Sequence, residues 1–210
     1  MRSLHLVPIV GLLLLAACSD VKTPNNANFT RAINRYLAKH GDACTVIGRQ
    51  FPIDVPKADK NDTYGIAPEL AALEQAGLVH GSDTTAVVHG MLDAFQGSTP
   101  AQPVRRYELT AEGKQHFREV PDIFKQTVGF CYGRKTVDSI IQWTEPITRG
   151  AYSRKEVTYT YRIVDVASWA ERRDVQHVFP DIRTTVSGAS NTDEIATLQL
   201  TNKGWEVPSQ

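Results

Sequence analysis

An apolar segment at the N-terminus, from Leu4 to Ala17, most constrains how this chain folds. It follows a single positive charge at Arg2 and stops after 14 residues at Cys18. A membrane-spanning helix needs about 20 apolar residues, so this segment is too short to be a good permanent span. Its charge, length and position are typical of a secretory signal peptide, which is removed from the mature protein. The alternative is a buried helix of the core.

The segment ends in Leu15-Ala16-Ala17-Cys18, which resembles the lipobox of bacterial lipoproteins: Leu, two small residues, then Cys. The resemblance implies cleavage before Cys18, a diacylglycerol on the Cys18 sulfur and acylation of the new amino group. One acyl chain binds a membrane only marginally, whereas two or three hold a protein stably. By resemblance to enterobacterial lipoproteins, Ser19 favours the outer membrane, facing the periplasm. Asp20 leaves the inner membrane as the alternative.

The balance of charge limits the partners that we expect. The chain has 23 basic and 23 acidic side chains, and removal of residues 1–17 takes away only Arg2 among them. Nucleic-acid-binding proteins usually carry a strongly basic face or stripe, so we expect no nucleic-acid partner. Hydrophobic residues make up 41% of the chain, which is enough for a globular core in one or two small domains.

The two remaining cysteines, Cys44 and Cys131, form an even pair in an oxidising compartment. We therefore predict a disulfide between them. It closes a loop of about 88 residues, for which the chain-entropy model gives about 4–5 kcal/mol of stabilisation. The alternatives are two buried free thiols or a catalytic cysteine, although neither Cys lies in a recognisable family motif.

We predict an α+β fold with four segments: a signal peptide at 1–17, a lipidated polar tether at 18–28, and two modules. The first module, residues 29–128, is predicted to be winged-helix-like. The second, residues 129–210, is predicted to be an antiparallel sheet with β-β-α-β order and one helix. The composition of the tether, rich in Asn, Asp, Thr and Pro, indicates a flexible linker.

The first helix is predicted over residues 28–40, with Asn28 as its N-cap and Gly41 as its stop. Its apolar positions recur with helical spacing. These positions are Phe29, Ile33, Tyr36, Leu37 and His40. A basic stripe lies on another face and either contacts anionic lipid near the tether or is a solvated helix face. The stripe consists of Arg31, Arg35 and Lys39.

A second helix, opening at Pro68 and closing at Gly77, is followed by a stretch that ends in Tyr107-x-Leu109-Thr110-x-x-Gly113. Over residues 66–118 this order resembles winged-helix domains, and the resemblance implies a β-wing and a last helix capped by Thr110. The helix at 68–76 carries two Glu and neither Lys nor Arg. Arg105 and Arg106, which the resemblance places on the wing, would release few counterions from DNA. We therefore expect a scaffold or protein-binding module.

The C-terminal part alternates with the period of strands that bury one face. The predicted inward side chains are Val137, Ile141 and Trp143 on one strand and Val157, Tyr159, Tyr161 and Ile163 on the next. A helix is predicted over 167–178, ended by Pro180. A last strand is predicted from Ala196, Leu198 and Leu200, followed by a turn at Asn202-Lys203-Gly204.

Motifs that carry chemistry are absent from the sequence. The histidines form no His-x-x-x-His pair, and the chain has no phosphate loop, no Gly-x-Gly-x-x-Gly and no Gly-x-Ser-x-Gly. We therefore predict no catalytic residue, no metal and no cofactor.

Aromatic and arginine side chains gather around the second disulfide cysteine and are enriched at protein interfaces. The candidate interaction surface consists of Phe130, Tyr132, Arg134 and Trp143. The alternative is that Phe130 and Tyr132 pack around the disulfide and that Gly133 permits a bulge.

Three segments of the C-terminal half resemble the sequences of uncharacterised proteobacterial lipoproteins. They are Phe130-Cys131-Tyr132-Gly133-Arg134, Trp143-Thr144-Glu145-Pro146, and residues 201–207. That family supplies no activity to carry over. The sequence thus favours a non-enzymatic periplasmic lipoprotein that binds another envelope protein or has a structural role. The alternatives are a lipoprotein that binds a small molecule or a peptidoglycan fragment, and a hydrolase with an unrecognised site.

Overall fold

The computed structural model describes residues 20–59, 65–88, 100–121, 126–149 and 152–208, which form an α+β fold with antiparallel sheets. The helices are α1 (Asn26–His40), α2 (Ile66–Gln75), α3 (Ala111–His116), α4 (Arg173–Val178) and α5 (Pro180–Gly188), with a 3-10 helix at Ser168–Glu171. The strands are β1 (Asp42–Val46), β2 (Ile53–Pro56), β3 (Val79–Ala86), β4 (Gln102–Leu109), β5 (Phe117–Pro121), β6 (Gln126–Trp143), β7 (Ile147–Arg149), β8 (Tyr152–Val164), β9 (Asp193–Thr201) and β10 (Gly204–Glu206).

Two sheets organise these strands. The larger has seven strands in the order β1-β6-β8-β9-β10, with β5 also pairing with β6 and β7 with β8. The smaller has the order β2-β4-β3. β6 is 18 residues long, and its antiparallel pairing with β1, β5 and β8 makes it the centre of the larger sheet.

The predicted boundary between residues 128 and 129 falls inside β6. β1 and β5, which belong to the predicted first module, pair with β6 in the larger sheet. α1 also packs on strands of the predicted second module. The division into modules at 29–128 and 129–210 therefore does not match the sheets, because backbone pairing joins the two halves of the chain.

Side chains of both chain halves build two apolar cores, and Ile163 packs against both of them. The first core lies among the smaller sheet, α2, α4 and α5, and its largest members include Leu70, Leu73, Leu78, Phe130, Tyr132, Trp169 and Ile182. The second lies between α1 and the larger sheet, and includes Phe29, Ile33, Leu37, Val137, Val157, Tyr161, Leu198 and Trp205.

α1 begins before its predicted position. Its N-cap is Asn25, whose side chain accepts a hydrogen bond from the Asn28 backbone N–H at 2.9 Å. Asn28, the predicted cap, is instead a buried residue inside the helix, and its side-chain amide donates to the carbonyls of Asp20 (2.9 Å) and Thr23 (2.8 Å). Residues 20–25 are thus bound to the folded body, which corrects the flexible tether predicted up to residue 28.

The end of α2 confirms the predicted stop at Gly77. The Leu78 N–H donates to the Leu73 carbonyl at 2.9 Å, and the Gly77 N–H donates to the Glu74 carbonyl at 3.0 Å. This pair of bonds is the Schellman motif, and it needs a residue of positive φ at Gly77, where φ is 80°. Thr110 caps α3 as predicted, accepting from the Gly113 N–H at 3.0 Å.

The faces of β6 differ from the predicted alternation. Its register against β8 shifts twice, once after Val137 and once after Ile140. Each bulge adds one residue to β6 and reverses which side chains point inward. Val137 and Ile140 therefore pack in the second core, while Ile141 is exposed. The prediction that Ile141 shares the face of Val137 is wrong for this reason.

The regular strands that follow confirm the alternation. Val157, Tyr159 and Tyr161 of β8 are buried on one face, and Leu198 of β9 is buried beside them. The segment between these strands differs: the predicted helix at 167–178 is a 3-10 helix followed by α4, and Pro180 begins α5 where it was predicted to end a helix. Proline is favoured in the first turn of a helix because its missing N–H has no partner there.

The predicted disulfide between Cys44 and Cys131 is confirmed. The two residues are direct register partners on β1 and β6, so the bond joins adjacent strands of the larger sheet. Because 87 residues separate them in sequence, the bond restricts the unfolded chain strongly.

We expect the double variant Cys44→Ala and Cys131→Ala to lose about 4–5 kcal/mol of unfolding free energy, because the long loop is no longer closed in the unfolded state. Urea unfolding of the variant, compared with the native protein before and after reduction, measures this loss. Equal stability of the oxidised and reduced native protein would contradict the expectation.

Candidate functional site

The predicted interaction surface is not one surface. Phe130 and Tyr132 are almost fully buried, and their ring centroids lie 6.1 and 6.0 Å from that of Trp169 in the first core. β6 is the central strand, and the 3-10 helix that carries Trp169 covers this part of it. The interface interpretation of these two residues is therefore wrong, and the alternative holds: they pack beside the disulfide.

The local backbone explains this packing. The register between β1 and β6 shifts so that Cys131 and Gly133 face consecutive residues of β1, which leaves Tyr132 as the extra residue of a bulge. A Cβ on Gly133 would lie 2.6 Å from the Ile163 side chain, so the close approach requires glycine.

The other two residues of the predicted surface lie far apart. Arg134 is exposed and lies 3.8 Å from the Asp165 carboxylate. Trp143 is 40% exposed and lies nine residues further along β6, which corresponds to about 30 Å of strand. Arg134 and Trp143 are therefore too far apart to form one interaction surface.

Trp143 is part of an aromatic cluster formed by Phe29, Trp143 and Trp205. The ring centroid of Phe29 lies 5.2 Å from that of Trp143 and 5.3 Å from that of Trp205, and both pairs are edge-to-face. This geometry is the favoured one for aromatic pairs. The cluster joins α1 to two strands of the larger sheet.

The N-terminal segment is fastened to this aromatic cluster. The Trp205 indole N–H donates to the Lys22 carbonyl at 3.0 Å. A Cβ on Gly204, where φ is 106°, would lie 2.8 Å from the Val21 carbonyl oxygen, so glycine allows the segment to approach β10. Cys18, the predicted lipidation site, lies outside the described residues.

The basic stripe predicted on α1 begins beside the same cluster. The Arg35 guanidinium donates to the Trp205 carbonyl at 2.9 Å, and Arg31 donates to the Asn28 side-chain oxygen at 3.2 Å. Lys39 is exposed in the last turn. The stripe is therefore partly used to hold α1 against β10, and its remaining charge is open to solvent.

A polar cluster lies on the same face of the larger sheet, between the two cores. The Glu194 carboxylate accepts a hydrogen bond from the Tyr159 hydroxyl at 2.8 Å and a charged one from Lys135 at 2.5 Å. The Lys135 ammonium also lies 4.1 Å from the centroid of the Tyr161 ring, and the Tyr161 hydroxyl donates to the Thr185 carbonyl. These contacts join β6, β8, β9 and α5.

Burial raises the pKa of Tyr159, and its hydrogen bond to the Glu194 carboxylate raises it further. Burial raises the pKa of Tyr161 as well, with a smaller contribution from the charge of Glu194. Both hydroxyls therefore stay protonated at any physiological pH and act as hydrogen-bond donors. The arrangement fits a structural polar cluster, because neither phenol is prepared to act as a base or a nucleophile.

The smaller sheet carries a network of ion pairs. Arg105 pairs with Glu74 at 2.7 Å and lies 3.6 Å from Asp83, while Arg106 pairs with Asp54 at 2.7 Å. The hydrogen bond from Arg106 lowers the pKa of Asp54. Arg105 and Arg106 are thus balanced by neighbouring carboxylates.

Glu69 is the described carboxylate whose pKa is raised. The first cause is burial of the side chain on α2, the second is the negative charge of Asp181 on α5, and Arg49 acts in the opposite direction. Folding therefore disfavours the ionised form of Glu69. The negative charge of Asp181 adds to this effect of burial.

The described residues offer no metal site: among them, no group of three or more His, Cys, Asp or Glu side chains is arranged to hold an ion. His116 has a structural contact, with its ring nitrogens 3.0 Å from the Cys131 carbonyl and 3.1 Å from the Glu112 carboxylate. In the same part of the chain, no helix has the length and apolar character needed to cross a membrane.

Two contacts of this site could not be predicted from the sequence. The contacts of Trp205 with Lys22 and of Glu194 with Lys135 join residues 183 and 59 positions apart. No local pattern marks such pairs, and only the sheet order brings them together. The alternation of β8 and β9 could indicate that Tyr159 and Glu194 point inward, but not that they meet.

Comparison with protein-family models, with curated proteins and with solved structures finds no match to this chain. The geometry of the described residues therefore carries the functional argument.

We expect Trp205→Phe to loosen the N-terminal segment, because phenylalanine keeps an aromatic ring but cannot donate to the Lys22 carbonyl. The loss of one such bond costs about 1 kcal/mol. Hydrogen exchange of residues 20–28 should be faster than in the native protein.

Trp169→Phe is the matched control, since the buried Trp169 indole N–H has no hydrogen-bond partner among the described residues. It should leave the exchange of residues 20–28 unchanged. Equal acceleration in both variants would contradict a specific role of Trp205.

We expect Glu69→Gln to stabilise the protein at neutral pH. A raised folded-state pKa means that Glu69 favours folding only below its unfolded pKa and loses that contribution as the pH rises through the folded value. The gain in thermal midpoint should therefore shrink as the pH falls through the ordinary glutamate pKa of about 4.3 and vanish below it, where the native side chain is protonated in both states. Glu119→Gln, at an exposed strand position, controls for the loss of one charge. A variant that is less stable than the native protein at neutral pH would refute this interpretation.

Proposed function

We propose that this chain is a lipid-anchored protein of the bacterial envelope, facing the periplasm, that binds another envelope protein and is not an enzyme. Residues 1–17 act as the signal peptide, and Cys18 carries the lipid. The outer membrane is the favoured location, because Ser19 follows the lipidated residue.

Two observations support the anchor. The lipobox-like Leu15-Ala16-Ala17-Cys18 ends an apolar segment of signal-peptide length. The disulfide between Cys44 and Cys131 agrees with an exported protein, because such bonds persist in oxidising compartments and are rare in the cytosol.

The observation that carries the binding role is the exposed face of β6, β8 and β9, opposite the cores. Ile141 and Ile195 are 52% and 68% exposed on it. Ile195 is the register partner of Thr158, and Thr158 in turn pairs with Gln142 beside Ile141, so the two isoleucines lie on either side of one threonine. Aliphatic side chains that lie close together on an exposed sheet face, with polar residues around them, support a protein-binding surface there.

The winged-helix-like arrangement of residues 66–118 belongs to this proposal as a scaffold. Its support is the order β2-β4-β3 of the smaller sheet, with α2 directly before the β3–β4 pair and α3 directly after it. The carboxylates that balance Arg105 and Arg106 reduce the positive charge available to phosphate groups. A protein-binding scaffold therefore fits better than a nucleic-acid reader.

We expect the mature protein to begin at Cys18 and to carry acyl chains. Intact-mass measurement of protein from the membrane fraction of a Gram-negative host should show residues 18–210 plus lipid. The Cys18→Ala variant should remain unacylated and be absent from the detergent-extracted membrane fraction. Native protein recovered with Met1 intact and no acyl chain would contradict the anchor.

We expect Ile195→Asp to weaken capture of the partner, because it places a charge in the exposed sheet face. The measurement is cross-linking of lipidated protein in intact envelopes, with the captured protein identified by mass spectrometry. Val87→Asp, at a comparably exposed valine of the other sheet region, is the control and should capture as the native protein does. If both variants reduce capture equally, this face is ruled out as the partner-binding surface.

A further inference from the structure

We infer that the folded body docks in one fixed orientation on an anionic phospholipid surface, through the end of the larger sheet that carries the aromatic cluster. This inference rests on the proposed lipid anchor at Cys18. It goes further, because an anchor by itself allows the attached body to face any direction.

The first argument is the length of chain between anchor and fold. Cys18 and Asp20 are two residues apart, so their Cα atoms are at most about 7 Å apart. Asp20 is itself held, since its carbonyl accepts from the buried Asn28 amide. Lys22 is held two residues later by Trp205. The acyl chains must therefore enter the membrane beside these residues.

The second argument is the position of these residues in the sheet. Ile147 on β7 pairs with Arg154, Arg154 pairs with Gln199, and Gln199 pairs with Glu206, so the four residues form one row across the sheet. Trp205 is next to the end of that row. The N-terminal segment, the turn between β9 and β10, and β7 therefore lie at the same end of the sheet, which we call the anchor end.

The third argument is the apolar surface at the anchor end. Val21, Trp143 and Ile147 are large apolar side chains that remain exposed there, with Ile147 65% exposed. Tryptophan favours the membrane–water interface, because its ring is both apolar and polar. Apolar side chains next to basic ones are the usual features of a surface that lies on a membrane.

The fourth argument is charge. Residues 20–35 and 202–206, which lie towards the anchor end, contain four basic side chains and two acidic ones. The basic residues are Lys22, Arg31, Arg35 and Lys203, and the acidic ones are Asp20 and Glu206. Basic side chains close to an anionic leaflet are attracted to it within a Debye length. The occupant that fits both the charge and the anchor is thus an anionic bilayer surface.

Two isoleucines offer a matched test. Ile147 and Ile195 are 65% and 68% exposed, and both lie on the face of the sheet opposite the cores. Ile195 precedes Gln199 by four residues, which places it about 13 Å further from the anchor end. The two positions are thus similarly exposed on the same face and differ in their distance from the anchor end.

The experiment uses full-length acylated protein with Ile147→Cys or Ile195→Cys, each labelled with an environment-sensitive fluorophore. The lipid and the disulfide occupy the native thiols, so the label has one target. Vesicles contain phosphatidylethanolamine with phosphatidylglycerol, or phosphatidylcholine alone. We expect the fluorescence emission of the label at position 147 to shift to the blue and to be quenched severalfold more by brominated lipid than that of the label at 195. Both effects should be stronger in the anionic vesicles than in the neutral ones.

Charge reversal gives the second arm. Lys203→Glu should reduce the quenching at position 147, because it places a negative charge in the turn at the anchor end. Arg162→Glu is the control, since Arg162 is an exposed basic residue near the end of β8 that points away from the anchor end, and it should have no effect.

Three results would overturn the inference. The first is equal quenching of the labels at the two positions, and the second is equal quenching at position 147 in anionic and neutral vesicles. The third is a blue shift at position 147 that depends on protein concentration, because it would report contact with a second copy of the protein. Intact mass of the vesicle-bound protein keeps the two proposals separate. Acylated protein with equal quenching contradicts the docking alone, whereas protein without acyl chains contradicts the proposed function.

Discussion

The pairing of β6 along both of its edges is the constraint on which the rest of the structure depends. On one edge β6 takes β1 from the first half of the chain, and on the other it takes β5 from the first half and then β8 from the second half. The disulfide reinforces the first of these pairings at a direct register position. Because β1 follows α1 after a single residue, fixing β1 also fixes α1 across the sheet.

The position of α1 determines where the N-terminal segment lies on the folded domain. α1 contributes Phe29 to the aromatic cluster, and the residues before α1 run along β10, where Trp205 binds the Lys22 carbonyl. The Asp20 carbonyl, which accepts from the Asn28 amide, lies two residues after Cys18. In the proposed lipoprotein a fixed contact would therefore lie close to the lipid, and the exposed face of β6, β8 and β9 would remain open to the proposed partner.

Local signals in the sequence were sufficient for some of these elements and not for others. The stop at Gly77 and the cap at Thr110 depend on neighbouring residues, so both could be predicted. Pro180 is compatible with the end of one helix and the start of another, and the sequence alone does not choose between them. The bulges that expose Ile141 depend on the partner strand, and the contact of Trp205 with the N-terminal segment depends on the order of the whole sheet. The candidate site was therefore less predictable than the elements that build it.

Neutron reflectometry of the acylated protein on a supported anionic bilayer tests the central claim most directly, because it measures the height of the folded body above the lipid. A body fastened two residues from its anchor should form a protein layer that directly adjoins the headgroups, with no intervening layer of water. A hydrated gap between headgroups and protein, in a sample whose mass shows the acyl chains, would contradict the account.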